Sequence, residues 1–346
     1  MLGDEAIAQG AIDAGVSGVY AYPGTPSTEI MEYVQLSREA AERGIHRRWS
    51  ANEKTAMEAA IGMSYAGKRA LVCFKHVGLN VAADAFVNAA ITGVNGGLVV
   101  LVADDPSMHS SQNEQDSRNF AKFALVPCLE PSNQQEAYEM VGKGFELSEA
   151  MNTPVLLRVT TRMAHSRAGV TLRPTKKEQN NMTLPKDPRQ FVLLPAIAKR
   201  NYKQLLEMQP KMEADSEASP YNKLVKGKQG GIGIITTGIA YNYLCEALEK
   251  HDYSILKITQ YPLPRTLVKE LYDYCGELIV MEEGYPVVED MLRGYLNEGK
   301  KISGRLNGLL PRDGELNPNL VAKALGRPIK EGEAIPDLVA GRPPSL

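Results

Sequence analysis

The chain has 346 residues, of which 43% are hydrophobic, so it holds enough apolar material for two or three domains. A formal net charge of −2 and the lack of a long apolar run exclude a basic nucleic-acid binder and a membrane-spanning protein. Four scattered cysteines without a C-x-x-C pair argue against zinc or iron–sulfur ligation within this chain. The N-terminus, MLGDEAIAQGAIDAGV, has the pattern of an amphipathic helix and not of a signal peptide, which predicts a reduced, cytoplasmic location.

The first part of the chain alternates apolar strands with helical segments. The strand candidates are GVYAYPG (18–24), RALVCFKH (69–76), GLVVLVADD (97–105) and PVLLRVTT (154–161). They are rich in Val and Leu without polar alternation, as expected of strands that are buried on both faces. Helical patterns lie between them, including TEIMEYVQLSREAAERG and NVAADAFVNAAITG. This order predicts an α/β domain with a doubly wound, mainly parallel sheet over residues 1–165, and ligands in such sheets bind beyond the carboxyl ends of the strands.

The composition changes from about residue 166. A stretch rich in Pro, Lys and Asn, followed by a helical pattern, predicts a linker over 166–229. The strand candidates GIGIITTG, YSILKITQ and GELIVMEEG then predict a smaller α/β domain over 230–330, and 331–346 is a Pro-rich tail.

The segment SANEKTAMEAAIG contains the first candidate for chemistry. Ser50 and Glu53 have the S-x-x-E spacing of a capping box, in which the Glu53 carboxylate would reach back to the start of the helix. From this motif alone, capping is the favoured interpretation, and a chemical role for the carboxylate is the alternative.

The turn YPGTPSTE gives two interpretations of similar weight. Gly24 and its neighbours predict a tight turn in which Ser27 or Thr28 caps the following helix. Alternatively, the hydroxyl of Thr25 lies at the ligand end of the sheet.

The segment KHVGLN supplies further polar candidates after a strand. His76 lies at the tip of the strand with Asn80 nearby, and Gly78 would let the backbone approach a ligand. The acidic pair Glu282 and Glu283 is expected in a solvated or interface loop rather than in a metal site. The first domain contains no phosphate loop and no dinucleotide fingerprint.

Read together, YPGTPSTE, ANEKTAMEAAIGMSYAGKRALVCFKHVGLN and VVLVADDPSMHSSQNEQDSR resemble the thiamine-diphosphate pyrimidine domain of 2-oxoacid:ferredoxin oxidoreductases. The alpha subunits of the indolepyruvate branch are the most similar. The likeness continues through LLPAIAKRNY, GIGIITTGIAYNYLCEAL and VMEEGYPVVEDML, so it covers nearly the whole chain. It implies a pyrimidine domain followed by a transketolase-C-terminal-like domain.

The resemblance also implies roles for individual residues. The glutamate at the position of Glu53 hydrogen-bonds N1′ of the cofactor's aminopyrimidine, and the proton held there is needed for removal of the thiazolium C2 proton. Thr25 corresponds to a threonine near the reacting carbon and the substrate carboxylate, with Gly24 beside it. His76 and Asn80 would line the same cleft.

In the loop DDPSMHSSQNEQDSR, which is expected to bound this cleft, Arg118 is a candidate contact for the substrate carboxylate.

The complete enzyme of this family would decarboxylate an aryl pyruvate such as indolepyruvate, give an acyl-coenzyme A, and pass electrons through iron–sulfur clusters to ferredoxin. Its diphosphate-binding domain carries a G-D-G signature and holds Mg²⁺, whereas this chain offers only RDGEL (312–316), which lacks the pattern. The chain is therefore expected to be the pyrimidine half of a split enzyme, or a truncated piece of one, that is inactive by itself. It would assemble with a diphosphate-binding module and a second oxidoreductase subunit.

Two alternatives remain open at this stage. The substrate could be another 2-oxoacid, such as a branched-chain one. The chain could also be a non-catalytic assembly subunit, although the presence of Glu53 argues against a decayed site.

Overall fold

The computed structural model describes residues 1–248, 250–295, 301–305, 307–311 and 314–329 as two sheets with flanking helices. The helices are α1 (Gly3–Asp13), α2 (Thr28–Leu36), α3 (Arg38–Glu42), α4 (Glu53–Tyr65), α5 (His76–Thr92), α6 (Arg118–Ala124), α7 (Gln134–Met151), α8 (Thr161–His165), α9 (Pro195–Glu217), α10 (Ala240–Ala247), α11 (Arg265–Tyr274), α12 (Val287–Tyr295) and α13 (Pro318–Ala324). A short 3₁₀ helix spans Pro188–Phe191. The tail expected over 331–346 lies outside the described residues.

The strands fall into two sheets. They are β1 (Gly18–Ala21), β2 (His46–Trp49), β3 (Ala70–Lys75), β4 (Leu98–Asp104), β5 (Cys128–Leu129), β6 (Val155–Thr160), β7 (Lys223–Val225), β8 (Ile232–Thr237), β9 (Ser254–Ile258), β10 (Gln260–Tyr261), β11 (Glu277–Met281) and β12 (Ile302–Ser303). The first sheet has the order β10-β5-β6-β4-β3-β1-β2, and its pairs are parallel except for β10 with β5. The second has the order β12-β11-β8-β9-β7.

The first sheet confirms the predicted doubly wound, mainly parallel architecture. Its central strands β3, β4 and β6 are buried along their whole length, which explains their continuous apolar sequences. The chain places β1 and β2 on one side and then crosses to β3 and β4 on the other. The strand order therefore reverses between β1 and β3, and the crevice at their carboxyl ends is where such sheets bind ligands.

The second sheet confirms a further α/β unit and shows how closely it is joined to the first. Strand β7 lies inside the segment predicted as a linker and pairs antiparallel with β9. Strand β10, from the second half of the chain, joins the edge of the first sheet at β5. Both strands have only two or three residues, too few to give a periodic signal in the sequence.

Two local features differ from the sequence-based expectations. Strand β2 has the sequence HRRW and lies at the sheet edge with alternating exposure, so no apolar run marked it. Helix α5 begins at His76, directly after β3, so it starts four residues before the helical pattern NVAADAFVNAAITG and includes His76, which was expected at the strand tip. Gly78 lies in the first turn of α5, although glycine has a low helix propensity.

Two further observations bear on the class of protein. The four cysteines, Cys73, Cys128, Cys245 and Cys275, are free thiols. Along the described chain, no helix combines the length and the apolar character needed to cross a bilayer.

Candidate functional site

Glu53 is the first residue of helix α4, and the cap of this helix is formed without it. The side chain of Asn52 accepts a hydrogen bond from the Thr55 N–H at 2.9 Å, and the Thr55 hydroxyl accepts one from the Asn52 N–H at 3.2 Å. The predicted capping box of Ser50 and Glu53 is therefore wrong. The same three-residue spacing is used by Asn52 and Thr55, two residues further along, because Asn52 is the last residue with an extended backbone.

The Glu53 side chain packs against Gly78 at the start of helix α5. A Cβ atom added to Gly78 would lie 2.6 Å from Cγ and 2.7 Å from Oε1 of Glu53, so a side chain at position 78 would displace the Glu53 carboxylate. Glu53 is half-buried, and within the described part of the chain no hydrogen bond or ion pair engages its carboxylate. Gly78 thus makes room for a carboxylate that is left free to bind something else.

The turn after β1 is held by its own polar groups. The Gly24 N–H donates to Oγ1 of Thr28 at 3.0 Å, and the Ser27 hydroxyl donates to the Gly24 carbonyl at 2.9 Å. Ser27 precedes α2 but makes no side-chain capping bond. The Ser110 hydroxyl donates to the Thr25 carbonyl at 3.2 Å, so the loop after β4 lies against this turn. The half-buried Thr25 keeps its hydroxyl at the carboxyl end of β1.

Lys75, at the carboxyl end of β3, is a further candidate residue that the sequence analysis did not select. Its side chain passes Gly24, where an added Cβ would lie 3.1 Å from Lys75 Cδ. Its Nζ donates to the Ser110 carbonyl at 2.9 Å. Burial lowers the pKa of Lys75, while the nearby carboxylate of Asp105 opposes that shift. The sequence signal was the Lys-His pair at a strand end, which is too polar for a core.

His76 and Asn80 have different surroundings, although both belong to α5. The ring of His76 is buried, and its Nε2 lies 3.0 Å from the Asn113 carbonyl. Because a carbonyl only accepts, Nε2 carries the proton and Nδ1 is an acceptor, which is buried without a partner among the residues described. Asn80 is exposed. The structure therefore brings Glu53, His76 and the Thr25 turn to the ends of β1 and β3, with Asn80 at the surface beyond them.

Arg118 lies elsewhere, in a buried ion network between the two sheets. It is 3% exposed, and its guanidinium donates to both oxygens of Asp116 at 2.9 and 2.5 Å. It also donates to Glu282 at 2.8 Å and to the Tyr285 carbonyl at 3.0 Å. Each nitrogen of the guanidinium is engaged, so this placement gives no support to the predicted contact with a substrate carboxylate. Burial of this kind leaves no mark in the local sequence.

Arg158, in the centre of β6, extends the same network. Its Nε donates to Asp104 at 2.6 Å, its Nη1 pairs with Glu130, and its Nη2 donates to the Glu283 carbonyl at 2.9 Å. Burial raises the pKa of Asp104, and Arg158 opposes this shift. For Asp116, burial is outweighed by Arg118 and Arg158, which hold the pKa of its carboxyl below the usual value.

The acidic pair Glu282 and Glu283 is part of this interface. Both are 1% exposed, so the expectation of a solvated loop was wrong. The pair lies at an interface, as the alternative expectation stated, but this interface is within the chain. Glu282 accepts from Arg118 and from the N–H groups of Val288 and Glu289. Neither carboxylate oxygen of Glu283 has a hydrogen-bond partner in the described part of the chain. Burial, followed by the charge of Glu315, raises the pKa of Glu283 to about 7.

Comparison with known proteins shows the family to which this chain belongs. Residues 9–228 match the family model of pyruvate flavodoxin/ferredoxin oxidoreductase, thiamine diphosphate-binding. The chain belongs to this family. Its relatives include the indolepyruvate oxidoreductase subunits IorA of Methanothermobacter thermautotrophicus, 39% identical over 100% of this chain, and of Archaeoglobus fulgidus, 42% identical over 97%. The chain spans 57% and 55% of the length of these relatives.

Solved structures show the same fold. A 2-oxoglutarate:ferredoxin oxidoreductase from Magnetococcus marinus has a TM-score of 0.71 at 17% identity. The matched region is 94% of this chain and 64% of the oxidoreductase chain. A split gene transketolase has a TM-score of 0.61 at 14% identity, and the matched region is 94% of this chain and 97% of the transketolase chain. These likenesses confirm the predicted pyrimidine-type domain and the transketolase-C-terminal-like domain that follows it.

Proposed function

We propose that this chain supplies the aminopyrimidine side of the thiamine diphosphate site in an indolepyruvate:ferredoxin oxidoreductase. The observation that carries the proposal is the Glu53 carboxylate, which lies free against Gly78 while other residues cap its helix. It lies beside the point where the strand order reverses, at the ligand-binding edge of the sheet. The 39% and 42% identity to subunits named indolepyruvate oxidoreductase supports the choice of substrate.

The residues of the site fit the pyrimidine end of the cofactor. When bound, thiamine diphosphate supplies the carbon nucleophile for the 2-oxo carbon and the electron sink for decarboxylation. Glu53 would hold a proton at the pyrimidine N1′, for which its free and half-buried carboxylate is suited. Gly78 fixes the position of that carboxylate by giving it the space that a Cβ would take.

The polar groups around β1 would bind the substrate. Lys75 is a buried cation near the Thr25 turn, and both Lys75 and Thr25 contact Ser110. We assign to Lys75 the contact with the 2-oxoacid carboxylate that the sequence had suggested for Arg118. The Thr25 hydroxyl would lie near the reacting carbon, with Gly24 beside it, and the Nδ1 acceptor of His76 would contribute to the same cleft.

The diphosphate and its Mg²⁺ would be held by a separate module or subunit. Mg²⁺ requires several oxygen ligands, and the site described here offers a single free carboxylate. A second oxidoreductase subunit, iron–sulfur clusters, ferredoxin and coenzyme A would complete the reaction in an oligomer. We expect a partner to cover part of the first domain, where the apolar side chains of Tyr22, Val81 and Phe123 are 38%, 48% and 74% exposed.

Turnover by the assembled enzyme tests this proposal. With indolepyruvate, coenzyme A and ferredoxin, we expect Glu53→Gln to lower kcat by about 10²- to 10⁴-fold, because an amide cannot hold the N1′ proton in the same way. The Tm should stay unchanged, since Asn52 and Thr55 form the cap. The matched control is Glu58→Gln, an exposed residue on the same helix, which should leave kcat unaltered.

Two results would count against the proposal. Activity of Glu53→Gln within a few-fold of wild type would remove the carboxylate from the chemistry. Comparable kcat/KM values for pyruvate and indolepyruvate would keep the family but remove the aromatic substrate.

A further inference from the structure

Three ligand-type side chains from distant parts of the sequence converge on one side of the first sheet. Asp4 lies in α1, Glu29 in α2 and His165 at the end of α8, and helix α1 packs against both α2 and α8. One potential ligand atom from each of the three lies within 4.8 Å of the other two. Gly3 permits this approach, because a Cβ there would lie 2.0 Å from the Met163 carbonyl of α8.

Asp4 is the decisive member of this cluster. It is 0% exposed, and neither of its carboxylate oxygens has a hydrogen-bond partner in the described part of the chain. An ionised carboxylate in such a place is costly unless a cation or a proton compensates it. A second carboxylate oxygen, Glu29 Oε2, is also buried without a hydrogen bond among the described residues. Burial, followed by the charge of Glu29, raises the pKa of Asp4, whereas His165 lowers the pKa of Glu29.

The side chain of His165 indicates which kind of metal ion this cluster could bind. Nε2 of His165 lies 3.4 Å from Glu29 Oε1, a separation typical of two atoms that share a metal ion with bonds of about 2.0–2.2 Å. Two carboxylates with one imidazole suit a first-row divalent ion such as Zn²⁺, whereas Mg²⁺ prefers oxygen ligands alone. The Glu29 and His165 side chains are 34% and 35% exposed, so an ion could enter and keep a water ligand.

We propose that Asp4, Glu29 and His165 form a binding site for a first-row divalent cation, with Zn²⁺ as the representative ion. The bound ion would join α1, α2 and α8 and neutralise the buried carboxylate. Because Glu29 lies in the first turn of α2, directly after the Thr25 turn, the ion would also fix the start of that helix.

Calorimetric titration of the chelator-treated 346-residue chain with zinc chloride tests this site. We expect one equivalent of Zn²⁺ to bind with a Kd of about 1 µM or tighter. Asp4→Asn and His165→Gln should each weaken binding by about tenfold or more, as expected for loss of one ligand. The matched control is His109→Gln, because His109 also lies 3.1 Å from a glutamate, Glu315, but that carboxylate is bound by Arg162. This variant should bind Zn²⁺ like the wild type.

A thermal measurement separates binding from misfolding of the variants. Saturating Zn²⁺ should raise the Tm of wild type and His109→Gln but not that of Asp4→Asn, since an ion that binds only the native state stabilises it. Absence of a binding isotherm in wild type at about 100 µM Zn²⁺ would overturn the proposal. Equal loss of affinity in all three variants would overturn it as well.

Discussion

Two polar regions of this chain differ in how many partners their charged side chains have. Between the sheets, the guanidinium groups of Arg118 and Arg158 are saturated by carboxylates and backbone carbonyls. At the ends of β1 and β3, Glu53 has no partner among the described residues, and Lys75 donates to a single backbone carbonyl. Both regions include residues that a sequence-based search would select as functional.

This difference distinguishes charged side chains that stabilise the fold from charged side chains that are available to bind a ligand. A buried ion pair is costly to break, because its removal leaves the partner charge without compensation. A half-buried carboxylate without a partner contributes little to folding and is available for another molecule. The number of hydrogen-bond partners is therefore a better guide to whether Arg118 or Lys75 could bind a ligand than the residue type or the position in a loop.

The largest expected effect comes from replacing Arg118 or Lys75 by methionine, an apolar side chain of similar length. Arg118→Met should lower the free energy of unfolding by about 3–5 kcal/mol, since Asp116 and Glu282 lose their shared partner. Lys75→Met should leave stability nearly unchanged and raise the KM of the assembled enzyme for its 2-oxoacid by about tenfold. Urea denaturation and steady-state kinetics on both variants measure the contrast. A stable Arg118→Met with a raised KM would reverse the two assignments.

The adjacent pair Glu282 and Glu283 should respond to pH in the same direction but to different extents. The native pKa of Glu283 is raised to about 7, from 4.5 when unfolded, so the native state keeps a proton that the unfolded chain loses. Stability from this residue is therefore lost as pH rises from 4.5 to 7. Glu283→Gln avoids the loss and should raise the free energy of unfolding by up to about 3 kcal/mol at pH 8, with no gain near pH 4.

Glu282→Gln is the matched control for that measurement. Burial also raises the pKa of Glu282, but Arg118 and the N–H groups of Val288 and Glu289 oppose this shift, so Glu282→Gln should gain less at pH 8 than Glu283→Gln. Urea unfolding at pH 4 and pH 8 follows both. Destabilisation of Glu283→Gln at pH 8 would show that this carboxylate has compensating partners when ionised.

A smaller effect is expected from a methyl group at Gly78. Gly78→Ala would push the Glu53 carboxylate away, because the new Cβ would lie 2.6 Å from its Cγ, and turnover should fall by about tenfold. Gly62→Ala on α4 is the control, since no atom lies within 4 Å of its added Cβ. That change should keep kcat and gain up to about 1 kcal/mol of helix stability. Equal kcat values for both variants would mean that the position of Glu53 does not matter.

The fold was predictable because its main elements follow general rules of burial. The continuous apolar runs of β3, β4 and β6 indicated strands covered on both faces, and their alternation with helices indicated a parallel sheet. Short strands such as β7 and β10 could not be predicted, because two or three residues carry no period. Their pairing depends on long-range contacts.

The site was predictable only in part. Glu53 and Thr25 were selected through the family resemblance, whereas local spacing assigned Glu53 to a cap that Asn52 forms instead. The burial of Arg118 could not be predicted from the sequence, because its partner Glu282 lies 164 positions away. The grouping of Asp4 with His165 depends in the same way on how the helices pack, which no local motif records.

Deuterium exchange at the C2 carbon of bound thiamine diphosphate tests most directly whether Glu53 serves the cofactor. The assembled enzyme, saturated with cofactor and Mg²⁺, is mixed with D₂O, quenched in acid and read by NMR. We expect Glu53→Gln to slow the exchange by about 100-fold or more, while Glu58→Gln matches the wild type and all three proteins melt together. Exchange in Glu53→Gln within about threefold of wild type at full cofactor occupancy would contradict the assignment and leave the carboxylate without a chemical role.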